Sequence, residues 1–217
     1  IVRGDGKSNL KCEDFFNVSN DPAKLQKQIA PTVGMMNPPY SQGKKSPTLC
    51  ELSFMERLLD SMTEDARVAV IVPQSAMTGK TRYEKDYKAG ILKHHTLEGV
   101  ITCNTETFYG VGTNPVIAVF TAHRPNSPTH KAKFIDFRDD GYFTHAHVGL
   151  EEGSTAKDKR AHLLKVWGGK EQAPSAFCVE SAVTAEDEWL HSYFYFNDEI
   201  PSDDDFDKTI EIGRAHV

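Results

Sequence analysis

Five consecutive apolar residues, Val68-Ala69-Val70-Ile71-Val72, closed by Pro73, limit the folds open to this chain more than any other feature. A strand with one wet face alternates apolar and polar positions, so a run that is apolar throughout predicts a strand covered on both faces, as in parallel α/β sheets. The preceding residues agree. Val33-Gly34-Met35-Met36 is a short apolar run stopped by Pro38 and Pro39, and prolines cannot donate to a ladder, so they mark a strand leaving its sheet. Between the two runs, Leu49, Leu52, Phe54, Met55, Leu58, Leu59 and Met62 follow the i, i+3, i+4, i+7 spacing of an amphipathic helix. Strand, helix, strand predicts a βαβ unit and a parallel pair.

Farther along, the spacing predicts a helix over 83–92 and strands over 99–103 and 115–120. The eight residues 107–114 are too few for a crossover helix, so the last two strands should pair antiparallel and make the sheet mixed. Lys133-Phe134-Ile135-Asp136-Phe137 reads as a further strand at the sheet edge, followed by the turn signal Asp139-Asp140-Gly141. From Glu151 the pattern becomes charged and helical, over 157–166 and over 184–193, where Thr184 is a candidate N-cap with Asp187 three residues on. Ser202-Asp203-Asp204-Asp205 repeats the cap signature before 206–212. The expected division is an α/β catalytic part over 1–150, a helical extension over 151–210 and a tail over 211–217. That tail matches the translation of a common sequencing-adapter oligonucleotide and is expected to be non-native. With Ile1 where an initiator Met would stand, the chain reads as an internal piece of a longer protein.

Composition narrows the class. A hydrophobic share of 39% with 26% charged residues is ordinary globular usage, and no apolar run approaches the roughly 20 residues of a membrane helix. The four cysteines, Cys12, Cys50, Cys103 and Cys178, form no C-x-x-C pair, which predicts reduced thiols, a cytoplasmic setting and no zinc site. His94-His95 lacks a third ligand at a sensible spacing and is expected to be an exposed pair at a helix end. With 25 basic and 31 acidic side chains the net charge is −6, so any contact with nucleic acid must be local or shared with a partner.

Asn37-Pro38-Pro39-Tyr40 carries the chemistry. A given tetrapeptide arises by chance in a chain of this length about once in a thousand, and this one sits where open α/β sheets place their ligands, at the carboxyl end of a strand. The two prolines push Asn37 and Pro38 into extended geometry and pre-organise the loop. An Asn side-chain oxygen beside a Pro carbonyl offers two acceptors to one planar nitrogen with two N–H donors, an exocyclic amino group or a primary amide. Drawing on those protons favours a pyramidal nitrogen whose lone pair can attack an electrophile. Tyr40 supplies a flat face for the ring that carries it.

Asn37-Pro38-Pro39-Tyr40 resembles the catalytic motif of S-adenosylmethionine-dependent amino-methyltransferases, above all the adenine-N6 DNA methyltransferases and the modification subunits of type I restriction-modification systems. Asp14-Phe15 resembles the acidic–aromatic pair that stands at a strand end and contacts the cofactor's adenine, with Phe16 as an alternative ring. The segment from Phe108 through Asn114 resembles the hairpin that places a second aromatic, Phe108 or Tyr109, against the target base. The resemblance covers roughly residues 1–140 and implies a Rossmann-like class I methyltransferase fold, α/β, with a mixed sheet and a terminal antiparallel hairpin, truncated on its N-terminal side. It also implies S-adenosylmethionine as cofactor, with Asn37, Pro38, Pro39 and Tyr40 as catalytic residues. The partners implied are double-stranded DNA, with its adenine flipped out of the duplex, and specificity and restriction subunits. The family's glycine-rich cofactor loop has no counterpart here. Gly4 to Ser8 follows no strand and Gly79-Lys80-Thr81 lacks the first glycine of a phosphate loop, so the 217 residues alone are expected not to methylate. Lys80, Arg82, Lys85 and Lys88 are candidates for DNA-phosphate contacts, or else a solvated helix face. Two other functions share the motif: methylation of a protein glutamine amide, and a noncatalytic DNA-binding or scaffold module.

Overall fold

A computed structural model describes residues 12–197 except 19, 45, 111, 146 and 147. Two short helices come first: α1 (Phe15–Val18), then α2 (Pro22–Ile29), which Asp21 opens by accepting from the Lys24 amide at 3.1 Å. β1 (Val33–Met36), α3 (Glu51–Asp60) and β2 (Arg67–Pro73) follow. The two strands are parallel, with Val33 opposite Arg67 and Met36 opposite Val70, and α3 buries Leu52, Phe54, Met55 and Leu59. The βαβ unit forms as the apolar spacing requires.

α4 (Gln74–Thr78) ends at Gly79, whose φ of +65° closes the turn in the left-handed region. A reciprocal capping box between Thr81 and Glu84 then opens α5 (Arg82–His94). β3 (Thr96–Cys103) and β4 (Pro115–Thr121) pair antiparallel as the short connection predicts, and β4 also runs antiparallel to β2 from Arg67–Thr121 to Pro73–Pro115. β5 (Ala132–Phe137), the hairpin of β6 (Tyr142–His145) and β7 (Gly149–Glu152), α6 (Ala156–Trp167), β8 (Cys178–Ser181) and α7 (His191–Phe194) complete the described chain. The main sheet has the order β1-β2-β4-β3-β5-β8. Its core layer joins Val68, Val70, Val72, Val100, Val116, Ala118 and Phe120 to Leu52, Met55, Leu59 and Ile91.

Several local expectations change. β2 is fully buried on one face only: Val68, Val70 and Val72 are inaccessible, whereas Ala69 and Ile71 are partly exposed. β5 is not an edge strand, because β8 pairs antiparallel outside it, Ala132 against Ser181. Four residues as mixed as Cys178-Val179-Glu180-Ser181 carry too little periodicity to be recognised. Over 184–193 the cap hydrogen bonds exist, from the Thr184 amide and hydroxyl to Asp187 at 2.7 and 2.8 Å, yet the chain turns helical only at His191. Trp189 decides this. Its amide donates to the Met77 carbonyl at 3.0 Å, its indole N–H donates to the Thr184 carbonyl at 2.9 Å, and its ring is wholly buried beside Phe120. Burying so large a ring outweighs a few tenths of a kcal/mol per residue of helix propensity. The expectations placed on 4–8, 202–212 and 211–217 lie outside the described residues. Among those described, no helix is long and apolar enough to cross a membrane.

Candidate active site

Asn37 follows β1 directly. Because β1, β2 and β3 all run the same way, Asn37, the Pro73–Gln74 junction and the loop after Cys103 leave the sheet at one end. That end is held together by the Gln74 amide, which donates to the Asn114 carbonyl at 2.8 Å. The Asn37 side chain is exposed and, among the described residues, makes no hydrogen bond, while Pro38 beside it is buried and Pro39 exposed. An apolar recess of about 350 Å³ opens next to Asn37, lined by Met35, Met36, Ala69, Ile71 and Ile117.

Tyr40 is half-buried. Its hydroxyl donates to the Ile71 carbonyl at 3.4 Å, and burial, aided by the nearby Glu51 carboxylate, pushes the phenol upward, so it stays a donor at neutral pH. The ring lies edge-on to Phe108, with centroids 6.3 Å apart and planes at 61°. Phe108 is presented by a turn that Asn104 organises. The Asn104 side-chain oxygen accepts from the Glu106 amide at 2.9 Å, and the Thr107 hydroxyl donates to the Asn104 carbonyl at 2.7 Å. Tyr109 points elsewhere, 49% exposed and beside Gly149. After Tyr40 the chain turns through Ser41 at φ +62°, and the Ser41 amide donates to Glu51 Oε1 at 2.6 Å. Gly43 is required next: a Cβ there would meet the Cys50 Cβ at 2.8 Å. A groove of about 280 Å³ beside this loop is lined by Ser41, Glu51, Ser75, Lys80 and Tyr83 among others.

Asp14, Phe15 and Phe16 stand apart, and Asp14 and Phe16 line a different recess from the one at Asn37. Asp14 does not end a strand, as the resemblance implies, but caps α1, its Oδ1 accepting from the Phe16 and Asn17 amides at 2.9 and 3.2 Å. The Phe15 and Phe16 rings lie on Phe54, with centroids 5.8 and 4.6 Å away. Asp14 keeps Oδ2 outside its cap and both rings remain half-exposed. An acceptor oxygen and aromatic faces are the groups that an adenine amino group and ring require, so these residues fit that end of S-adenosylmethionine.

The four basic candidates divide. Lys80 and Arg82 are exposed, and Lys85 is ion-paired with Glu186. Lys88 is corrected: it is wholly buried, donates to the Met77 and Asp187 carbonyls, and lies 4.6 Å from the centre of the Trp189 ring, so it cannot reach a phosphate. Desolvation brings its pKa down to about 8. His95 is likewise buried. Its Nδ1 accepts from the His123 amide at 3.0 Å, which leaves Nε2–H facing Asp60 at 3.3 Å. His94 is exposed as expected, and among the described residues no group of three or more His, Cys, Asp or Glu side chains is placed to hold a metal. Sequence reasoning did not find the Lys88–Trp189 contact or the Asn104–Asp140 hydrogen bond of 2.9 Å. A lone Trp inside a charged stretch was the one available signal for the first.

Residues 26–199 match the N-6 DNA Methylase family. The chain belongs to that family. It is 46% identical, over 215 residues, to the type II restriction enzyme and methyltransferase RM.BcgI of Heyndrickxia coagulans; the match takes in 97% of this chain and 33% of that protein. The chain therefore spans about a third of the length of that curated relative. Its fold is that of the type I restriction-modification system methyltransferase subunit from Streptococcus thermophilus, with a TM-score of 0.55 at 14% identity, over 71% of this chain and 35% of the other.

Proposed function

We propose that this chain carries the base-binding motif of a DNA methyltransferase that modifies the N6 amino group of adenine, with the adenine flipped out of the duplex, as part of a restriction-modification system. The observation that supports it is that the exposed Asn37 amide, without a hydrogen-bond partner among the described residues, leaves the same end of the sheet as the Tyr40–Phe108 ring pair. The Asn37 side-chain oxygen and the Pro38 carbonyl accept the two amino protons of the base, which localises the nitrogen lone pair for attack. Tyr40 and Phe108 hold the ring, and the Tyr40 hydroxyl, tied to the Ile71 carbonyl, fixes the angle of its own ring. S-adenosylmethionine, when bound, supplies the methyl group as an electrophile. Asp14 Oδ2, with Phe15 or Phe16, is the proposed contact for its adenine end. Exposed Lys80 and Arg82 remain candidates for DNA phosphates. Specificity and restriction functions, in this protein or in partner subunits, complete the system.

In the full-length enzyme, Asn37→Ala should lower the methylation rate by about 10²–10³, as loss of one preorganised polar contact does, with DNA still bound. Transfer of tritiated methyl to duplex DNA, run beside a glutamine-bearing protein substrate, is the measurement. Near-normal turnover in the variant, or label on the protein alone, overturns the proposal.

A further inference from the structure

β6 and β7 pair with no other strand among the described residues, and a lone two-stranded hairpin is marginal in water. Its root is held from outside. Asn104 Nδ2 and the Tyr142 amide both donate to Asp140 Oδ1 at 2.9 Å, and the Gly153 amide donates to the Gly141 carbonyl at 3.0 Å. Arg160 reaches Glu152 at 3.6 Å and the Tyr142 hydroxyl at 3.4 Å. The same Asn104 that shapes the Phe108 turn thus anchors the hairpin.

Directly opposed residues of an antiparallel pair share a face. Phe143 lies opposite Glu151 and His145 opposite Gly149, so Phe143, His145 and Glu151 project from one side, with a bare patch at Gly149. Tyr109 lies across that patch, its Cδ1 3.8 Å from where a Cβ would stand. Phe143 is 50% exposed. Tyr109 is the sequence neighbour of Phe108, whose ring meets Tyr40. The segment that presents Phe108 to the motif thus also lays an aromatic side chain against the hairpin. In a chain of net charge −6, residues 141–150 contain no Asp or Glu, and Glu151 is the one carboxylate on this face, at the end nearer the root.

We propose that this face of the hairpin, Phe143 and His145 together with Tyr109, is a second nucleic-acid contact that holds the target strand beside the extruded adenine. The proposal rests on the DNA reading above. Aromatic faces hold unstacked bases whatever their identity, a two-stranded ribbon fits the roughly 12 Å major groove, and a stretch nearly free of carboxylates can approach phosphates without repulsion. Extruding a base unstacks its neighbours, which is the substrate such a surface suits.

The test uses the full-length enzyme, a duplex that it methylates, and a second copy of that duplex with 2-aminopurine in place of the target adenine. Wild type is compared with Phe143→Ala, with the double variant Phe143→Ala/His145→Ala, with Phe143→Tyr and with Asn37→Ala. DNA affinity should fall about five- to one-hundred-fold in the two alanine variants, with a smaller rise in 2-aminopurine fluorescence, while Phe143→Tyr keeps wild-type affinity. Photolabelling by S-adenosylmethionine and the melting temperature should stay unchanged in all. Unchanged DNA affinity in the alanine variants overturns the proposal, and if a co-purifying subunit is lost at the same time, the face docks protein instead. Loss of affinity in Phe143→Tyr equal to that in Phe143→Ala also overturns it. Wild-type methylation by Asn37→Ala defeats the base-binding proposal instead, and the affinity measurement still decides the hairpin.

Discussion

Tyr40 separates two roles within one side chain. Its ring meets Phe108, and its hydroxyl makes a single long bond to the Ile71 carbonyl. Tyr40→Phe removes only that bond, a net contribution of about 0.5–1.5 kcal/mol, so methylation by the full-length enzyme should fall no more than about tenfold. Tyr40→Ala removes the stacking face, worth about 1–3 kcal/mol per base, and the loss should appear chiefly in 2-aminopurine fluorescence at the target position. Lys88 gives a prediction of another kind. Its pKa of about 8 lies below the ordinary 10.5, chiefly because burial disfavours the charged ammonium. Between these values the unfolded chain holds more protons than the folded one, so stability rises with pH across that window, by up to roughly 3 kcal/mol. Calorimetry at pH 7 and pH 9.5 checks it: the wild type should gain stability relative to Lys88→Met as pH rises, and a constant difference refutes the assignment. The same residue marks where sequence reasoning stops. Nothing about a lysine on a basic helix tells whether it faces water or Trp189, since the partner lies a hundred residues away and the packing that buries it is tertiary. The position of Asn37 and Tyr40 just past a parallel strand was legible because proline geometry is local. His95 was not, because its acceptor role depends on the His123 amide.

Among the elements, β1, α3, β2, α5, β3 and β4 follow from periodicity and from connection length, since each has either a continuous apolar run or a helical stripe. The elements after Asp140 follow far less well. α6 keeps the spacing expected of it, but β8 is four residues of mixed character, and 184–190 obeys Trp189 rather than its own cap. That segment is an element in the energetic sense although no regular structure describes it: the Trp189 amide meets Met77, the indole N–H meets Thr184, and the ring covers Phe120 and Lys88. Trp189→Ala should therefore destabilise the chain by about 3–5 kcal/mol, measured by urea unfolding. A loss below 1 kcal/mol would mean that the segment contributes little to the core. Phe120→Leu, a milder change on the same contact, should cost less.

For the whole molecule, the two sides of the sheet differ. One is sealed by α3, α5 and the Trp189 segment; the other carries the recess beside Asn37, and at the β1 edge Val33 and Met35 are 75% and 88% exposed. Among the described residues β1 pairs with no strand besides β2, and an edge flanked by apolar side chains invites pairing between chains. The 217-residue chain expressed alone should associate as concentration rises, and Met35→Glu should reduce that association in sedimentation velocity; equal behaviour of the two would place the contact elsewhere. The sheet order has one more consequence, for synthesis on the ribosome. Strand pairing alternates between near and far partners, and Trp189 is made about seventy residues after the Phe120 that it packs against. Until then Phe120 and the Lys88 ammonium have no lid, so a nascent chain stalled before residue 189 exposes the hydrophobic surface that chaperones bind. Ribosomal pausing between residues 120 and 189 is thus where this part of the protein is most exposed to aggregation.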